Sequence, residues 1–192
     1  MIPSLEDVLA FTTKVPGYYS EQEIAKLYEY VAELPEHARI TELGVQHGRS
    51  ASVYFQIAQH KPLHITLVDN WSESGLEARL NFNELAVKFN VPFVMFNMST
   101  AAAAMYFWYP MRIDVELLHV DAGHDEGSIW SDCSWWLSRL VQGGRVLFHD
   151  YDRKAPAGIT EVFPGIKRTV DFWCRGWEDL GVHDTLAVRR KL

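Results

Sequence analysis

The chain has 192 residues, 48% of them hydrophobic and 22% charged, which suits one soluble globular domain with a sizeable core. A formal net charge of −7 argues against a broad phosphate-binding surface, so nucleic acid is not an expected partner. No window approaches the ~20 apolar residues of a membrane span, and the start MIPSLEDVLAF has no basic leader region, so a cytoplasmic protein without a membrane partner is expected.

Leu5 to Phe11 is a short helical candidate, followed by a turn at Pro16-Gly17. Ser20-Glu21-Gln22-Glu23 reads as a capping box, with Ile24, Leu27, Tyr28 and Val31 following at helical spacing up to Leu34-Pro35. Residues 38–43 read as a buried strand, Ser50 to His60 as a helix, and Leu63 to Val68 as a second strand. Glu77 to Phe89 is helical, Pro92 to Phe96 a third strand, and Thr100 to Trp108 a helix with four consecutive alanines. Val115 to Val120 is a fourth strand, and Gly127 to Leu140 a helix whose Trp130 is expected in core packing. Gln142-Gly143-Gly144 reads as a tight turn before a fifth strand, Arg145 to Phe148. A loop from Asp152 to Thr160 leads into a helix ending near Cys174. Trp177 to Arg189 then forms two antiparallel strands turning near Gly181 or His183-Asp184. The two cysteines, Cys133 and Cys174, have no metal or redox spacing and read as reduced thiols.

Strands alternating with helices predict an α/β fold: a doubly wound, mostly parallel sheet of seven strands, the last antiparallel. One domain covers residues 1–192, with 1–37 a helical cover and 38–192 the sheet. Ligands of such sheets lie beyond the carboxyl ends of the strands. The segments to search are therefore Gly44 to Ser50, Asp69-Asn70-Trp71, Asn97-Met98-Ser99, Asp121 to His124 and His149-Asp150-Tyr151.

The stretch ITELGVQHGRS, Ile40 to Ser50, is a strand stopping in a glycine-bearing turn ahead of a helix. Glycines let a ligand approach the backbone, and the helix start offers it free N–H groups. The pattern is E-x-G-x-x-x-G, without the third glycine of the dinucleotide fingerprint G-x-G-x-x-G. An acid at Glu42 suits a cationic ligand, such as a sulfonium carrying an amino-acid group.

Glu42-Leu43-Gly44 with Gly48 and Ser50 resembles the first motif of class I S-adenosylmethionine-dependent methyltransferases. The segments Leu118 to His124, Asp132 and Gly143 to Tyr151 resemble one subfamily, the small-molecule O-methyltransferases and cephalosporin-hydroxylase-like proteins. The match covers about residues 38 to 173, departing at Ala122-Gly123 and Asp125-Glu126-Gly127. The resemblance implies that residues 38–192 bind the cofactor. Glu42, Gly44, Gly48 and Ser50 would hold its methionine part and Asp69 its ribose. Asn70 and Trp71 would lie beside the nucleoside, Met98 and Ser99 would flank the adenine, and Asp121 would border the reacting end.

Relatives often hold one divalent metal, usually magnesium. By position Asp121 and Asp150 match its ligands, with His149 where relatives place a carboxylate or amide; imidazole suits Zn²⁺, Mn²⁺ or Fe²⁺ better than Mg²⁺. His124 and His149 are candidate general bases, and Asp121 and Asp150 complete the catalytic set. His119 reads as a core histidine, and Arg49 as a solvated side chain. Arg153 and Lys154 read either as contacts to an acidic acceptor or as an exposed loop pair. The implied activity is methyl transfer to the hydroxyl of a small molecule. A silent protein that binds S-adenosylmethionine or S-adenosylhomocysteine, an NAD-dependent oxidoreductase, and an aromatic-rich partner module are the rivals. Only residues 1–37 and 152–165 are spare to cover the acceptor, which leaves a role for a second subunit in a homodimer.

Overall fold

The structure, a computed structural model, describes residues 1–72, 74–106, 112–154 and 162–192. In chain order the elements are α1 (Leu5–Thr12), α2 (Glu21–Glu33), β1 (Arg39–Leu43), α3 (Arg49–Ala58), β2 (His64–Val68), α4 (Gly75–Phe89), β3 (Phe93–Phe96) and α5 (Thr100–Tyr106). There follow β4 (Val115–Val120), α6 (Glu126–Trp136), a 3-10 turn (Leu137–Arg139), β5 (Leu140–Phe148), α7 (Pro164–Trp173), β6 (Glu178–His183) and β7 (Leu186–Arg190).

The seven strands form one sheet in the order β3-β2-β1-β4-β5-β7-β6. The first five strands pair in parallel, while β7 runs antiparallel to both β5 and β6. The order reverses at β1, so the cleft beyond its carboxyl end is the switch point. Strands β1 and β4 are buried on both faces, which is why they read as near-continuous apolar runs rather than alternating ones. One core joins Ile40, Leu67 and Leu117 to Ile24 and Leu27 of α2 and Phe55 of α3; the other joins Leu43, Leu118 and Val146 to Trp136 of α6 and Val170 of α7.

Local chemistry fixes the helix starts. Ser20 and Glu23 make the expected capping box on α2, and Ser4 with Asp7 makes a second one on α1. The Gln142-Gly143-Gly144 turn is absent: β5 runs through these residues. Gly143 N donates to Lys191 O, and Lys191 N to Gly144 O, while the β4 register shifts between Val115 and Leu117. The glycines form an irregularity within a paired strand, with Gly143 at φ +77, rather than a reversal. The β6–β7 reversal lies at Asp184-Thr185, with Asp184 at φ 58. Trp130 is 43% exposed, packed on Phe172 and Trp173 of α7, so the core tryptophan of α6 is Trp136 instead. Phe107, Trp108 and most of the loop read from Asp152 to Thr160 lie outside the described residues.

Candidate active site

Three strand ends are laced together where β1 stops. Gly44 N donates to Val68 O, and Asp121 N donates to Leu43 O. Gly44 takes φ +86, and a Cβ there would stand 1.9 Å from the Asp121 carbonyl oxygen. No side chain of this approach could be tolerated, so the glycine is dictated by β4 as well as by any ligand. Asp69, at the end of β2, shapes the rest of the turn: its Oδ2 accepts from Val45 N (2.7 Å) and Gln46 N (2.9 Å), and its Oδ1 from Trp71 N (2.6 Å). Helix α3 then starts from Gly48 with no side-chain cap, so its first N–H groups are left for a ligand.

A cleft of about 1030 Å³ opens over these ends. Gly44, Ser50, Asp69, Asn70, Met98, Ser99, Asp121, His124, His149 and Asp150 all line it. Three predicted cofactor residues do not. Glu42 is fully buried beneath the turn, where it accepts from Ser50 Oγ and lies 3.3 Å from His119 Nδ1. Burial pushes its pKa up, against hydrogen bonds from His119 and Ser50. Gly48 is required by packing, since a Cβ would meet Leu85 at 2.8 Å and Phe82 at 3.0 Å. Trp71 is buried against Phe82, its Nε1 donating to Gln46 O; it braces the turn from behind.

At the β4 and β5 ends the charged groups converge. His124 Nε2 is 3.1 Å from Asp150 Oδ2 and 3.8 Å from Asp121 Oδ1. His149 Nδ1 is 3.1 Å from Asp121 Oδ1 and 3.4 Å from Asp150 Oδ2. Arg153 Nη1 donates to Asp150 Oδ1 at 2.7 Å. Burial disfavours the Asp150 carboxylate, but hydrogen bonds from His124 and His149 and the charges of His149 and Arg153 outweigh it and hold its pKa below the usual range. The hydrogen bond to Asp150 raises the pKa of His124. Burial works against a charged His149, yet Asp121, Asp150 and Glu23 together lift its pKa well above the ordinary value.

The two histidines differ in place. His124 stands on the cleft wall with its ring against Phe163, at 4.6 Å. His149 is 4% exposed, stacked on Tyr19 at 4.1 Å, with Nε2 facing Glu23 Oε2 at 3.5 Å. Among the described residues, the group that could hold a metal ion together is Asp121, His124 and Asp150, whose ligand atoms lie within 4.8 Å of one another. His124, rather than His149, is the imidazole of this group; the His149 ring is buried, stacked on Tyr19 and turned with Nε2 toward Glu23.

The N-terminal cover supplies groups that the motifs did not reveal. Glu23 also accepts from Thr185 N (3.0 Å) and Thr185 Oγ1 (2.7 Å), tying α2 to the β6–β7 hairpin. The Tyr19 hydroxyl meets His119 Nε2 at 2.5 Å, and Tyr54 meets Nδ1 at 2.6 Å, so His119 is a core histidine serving a buried polar network. Arg49 is no solvated side chain: it donates to the carbonyls of Val15 (2.6 Å), Tyr19 (2.8 Å) and Thr13 (3.0 Å). Arg49→Met is expected to cost roughly 2 kcal/mol of unfolding free energy, since three carbonyls lose a charged donor. Urea denaturation checks this, and limited proteolysis should show new cuts within residues 13–19.

At the other end of the cleft, Asp132 of α6 is 1% exposed and accepts from Thr100 Oγ1. Burial, with a smaller push from Asp125 and against the Thr100 bond, drives its pKa from 3.8 up to about 7. A raised carboxyl contributes stability below its unfolded value and loses it as pH rises through the folded one. Between about pH 4 and 7 this group should remove up to about 4 kcal/mol of stability. Asp132→Asn should flatten that slope in denaturation curves measured at pH 4.5 and 8.

A family model described as a methyltransferase domain matches residues 41–151, more than half the chain. The chain belongs to that family, among the class I S-adenosylmethionine-dependent methyltransferases. No curated protein matches it in sequence. Among solved structures, the Bacillus cereus O-methyltransferase in complex with SAH superposes with TM-score 0.67 at 13% identity, covering 100% of this chain and 93% of that one. A Podospora anserina methyltransferase bound to SAH gives 0.66 at 18%, covering 100% and 89%. The TDP-rhamnose 3'-O-methyltransferase of calicheamicin biosynthesis gives 0.66 at 14%, covering 97% and 92%. At such identities the likeness is one of fold. Among the described residues no helix is long and apolar enough to cross a membrane.

Proposed function

We propose that the chain binds S-adenosylmethionine and transfers its methyl group to a hydroxyl of a small molecule, with His124 as general base and Asp150 as the group that orients it. The observation carrying this is the His124–Asp150 pair, 3.1 Å apart, on the wall of the cleft that opens over the glycine turn. A neutral hydroxyl is a poor nucleophile toward a sulfonium carbon, and a base facing it raises the rate. The hydroxyl oxygen attacks the methyl carbon as the carbon–sulfur bond breaks. The bond's electrons leave with sulfur, giving the neutral thioether, and the hydroxyl proton passes to His124. Asp69 and the first amides of α3 hold and align the cofactor, so part of the acceleration is orientation. That three superposed structures are O-methyltransferases or bind SAH supports the reading.

The convergence of Asp121, His124 and Asp150 favours a second reading, in which they hold a divalent cation. Two carboxylates and an imidazole fit Mn²⁺ better than Mg²⁺. Such an ion would supply Lewis-acid polarisation of the acceptor hydroxyl. Tyr18 and Tyr19 of the N-terminal cover line the same cleft as Asp121, which supports an acceptor bound between them.

Calorimetric titration with S-adenosylmethionine, S-adenosylhomocysteine and NAD, each with EDTA, Mg²⁺ or Mn²⁺, tests both readings. Micromolar binding of the first two and not NAD, lost in Asp69→Ala, is expected. A folded protein that binds neither sinks the proposal. Binding without methyl transfer to any of a panel of phenols and sugar hydroxyls, with either metal, would leave a silent cofactor-binding protein.

A further inference from the structure

Helix α4 carries two apolar faces. One of them, Ala78, Phe82, Leu85 and Phe89, is buried in the core that holds Phe55 and Leu67. Yet Leu76, Leu80 and Val87 of the same helix are 70%, 51% and 79% exposed. At 3.6 residues per turn, these three and Asn83, also exposed, centre on the side opposite the buried one. The solvent-facing crest of a helix is ordinarily polar, so large apolar side chains in one line there ask for a cover.

The spacing says what kind. From Leu76 the steps to Leu80, Asn83 and Val87 are four, three and four residues, the a/d repeat of a helix that pairs with another helix. Leu76 and Asn83 then sit at d, and Leu80 and Val87 at a. Glu77 and Glu84 fall at the e positions on one flank, and Arg79 at g on the other. Among the described residues neither acid has an ion-pair partner within the chain, while Arg79 lies over the Trp71 ring at 5.5 Å.

A second copy of α4 complements this strip, and in one direction only. Laid parallel and in register, Asn83 meets its own copy and the two amides can bond each other. Arg79 of each helix then meets Glu84 of the other, the g-to-e contact five residues on, twice by symmetry. Laid antiparallel, Asn83 would face Leu80 with its amide unpaired, and Glu77 would face Glu84.

We propose that two copies of the chain associate through α4, the helices parallel about a two-fold axis along the seam, with Leu76, Leu80, Asn83 and Val87 each against its own copy. The occupant is a second copy rather than an unrelated helix because one strip offers both halves of the charge pair. Four layers over about 16 Å of helix make a short interface, so the dimer is reversible, with a dissociation constant of about 10–100 µM. The pairing stands independently of the cofactor reading.

Sedimentation velocity of the full chain from about 5 to about 300 µM tests this, and the wild type is expected to pass from monomer to dimer across that range. Leu80→Glu sets two like charges in the seam and should stay monomeric throughout; because the position is exposed, the melting temperature of the dilute protein should not change. Arg79→Glu and Glu84→Arg should each weaken association by about tenfold, as attraction turns to repulsion at two symmetric contacts. The double variant Arg79→Glu/Glu84→Arg should return to within about threefold of wild type. A wild-type chain that is monomeric at the highest concentration overturns the proposal. So does a dimer that survives Leu80→Glu; its loss in Phe172→Glu would place the contact on the exposed Trp130–Phe172 face of α6 and α7 instead. A double variant that fails to recover also overturns it, because only in the parallel pairing do these two residues meet.

Discussion

Gly44→Ala is expected to abolish binding of S-adenosylhomocysteine and to cost about 4 kcal/mol of stability, combining the strain of a positive φ with overpacking against backbone. The added methyl would stand 1.9 Å from the Asp121 carbonyl oxygen and 2.8 Å from Ala122 Cα. Neither is the end of a flexible side chain, so relief requires β1 and β4 to part at their carboxyl ends. That is where Asp121 N donates to Leu43 O, and where Asp121 enters the charged cluster. The substitution therefore damages fold and site through one contact. Gly143→Ala separates the terms: Gly143 also has positive φ, +77, but nothing stands within 4 Å of its Cβ position. It should cost only about 1 kcal/mol and leave binding unchanged. Urea denaturation and calorimetry on both variants provide the comparison. Equal losses in the two would mean that the close approach at Gly44 relaxes freely.

Which parts of this site were legible in the sequence follows from how far apart the interacting residues lie. The turn after β1, Asp69 after β2, and Asp121 and Asp150 after β4 and β5 each sit at the end of an apolar run, and strand ends of a parallel sheet face the ligand side. Local pattern therefore sufficed to bring them into one cleft. It failed where a side chain's direction depends on a distant partner. Glu42 alternates along β1 into the sheet's interior, where His119, paired opposite it on β4, claims its carboxylate. Gly48 and Trp71 answer to Phe82 of α4, a helix whose packing no motif encodes. Histidines 124 and 149 both looked able to titrate at the mouth of the sheet. Which of them is open to the cleft is decided by Tyr19 and Glu23, more than 100 residues earlier in the chain. One signal was available: Glu23 as the closing acid of a capping box, with Tyr18-Tyr19 just ahead, puts an acid and two rings at a helix start. A cap already explained Glu23, so its second role stayed hidden. The role of Arg49 leaves no mark in the sequence because its acceptors are backbone carbonyl groups, which carry no sequence signature.

His124→Ala is expected to leave S-adenosylhomocysteine affinity within about threefold of wild type while methyl transfer falls by about 10²- to 10⁴-fold, the usual range for loss of a general base. The split is predicted because His124 reaches the cleft beside Asp121 and Asp150, on the far side of the glycine turn from Asp69 and Ser99. The pH profile carries more information than the size of the loss. A base must be neutral to act, so the wild-type rate should rise with pH through an apparent pKa above 6.5, since the Asp150 bond, Asp121 and the Asp150 charge together raise it against burial and His149. Asp150→Asn removes the largest of these causes, and the midpoint should then shift downward while the maximal rate drops. His149 lies against the same two acids, so the midpoint belongs to the cluster as a whole. The direction of its shift in Asp150→Asn is nevertheless fixed, because that variant takes a negative charge from beside both rings. An unshifted midpoint, or a His124→Ala enzyme with wild-type turnover, would move the base elsewhere. If the metal reading holds instead, Mn²⁺ affinity rather than the midpoint should respond first, since each of the two variants then removes one of three ligands.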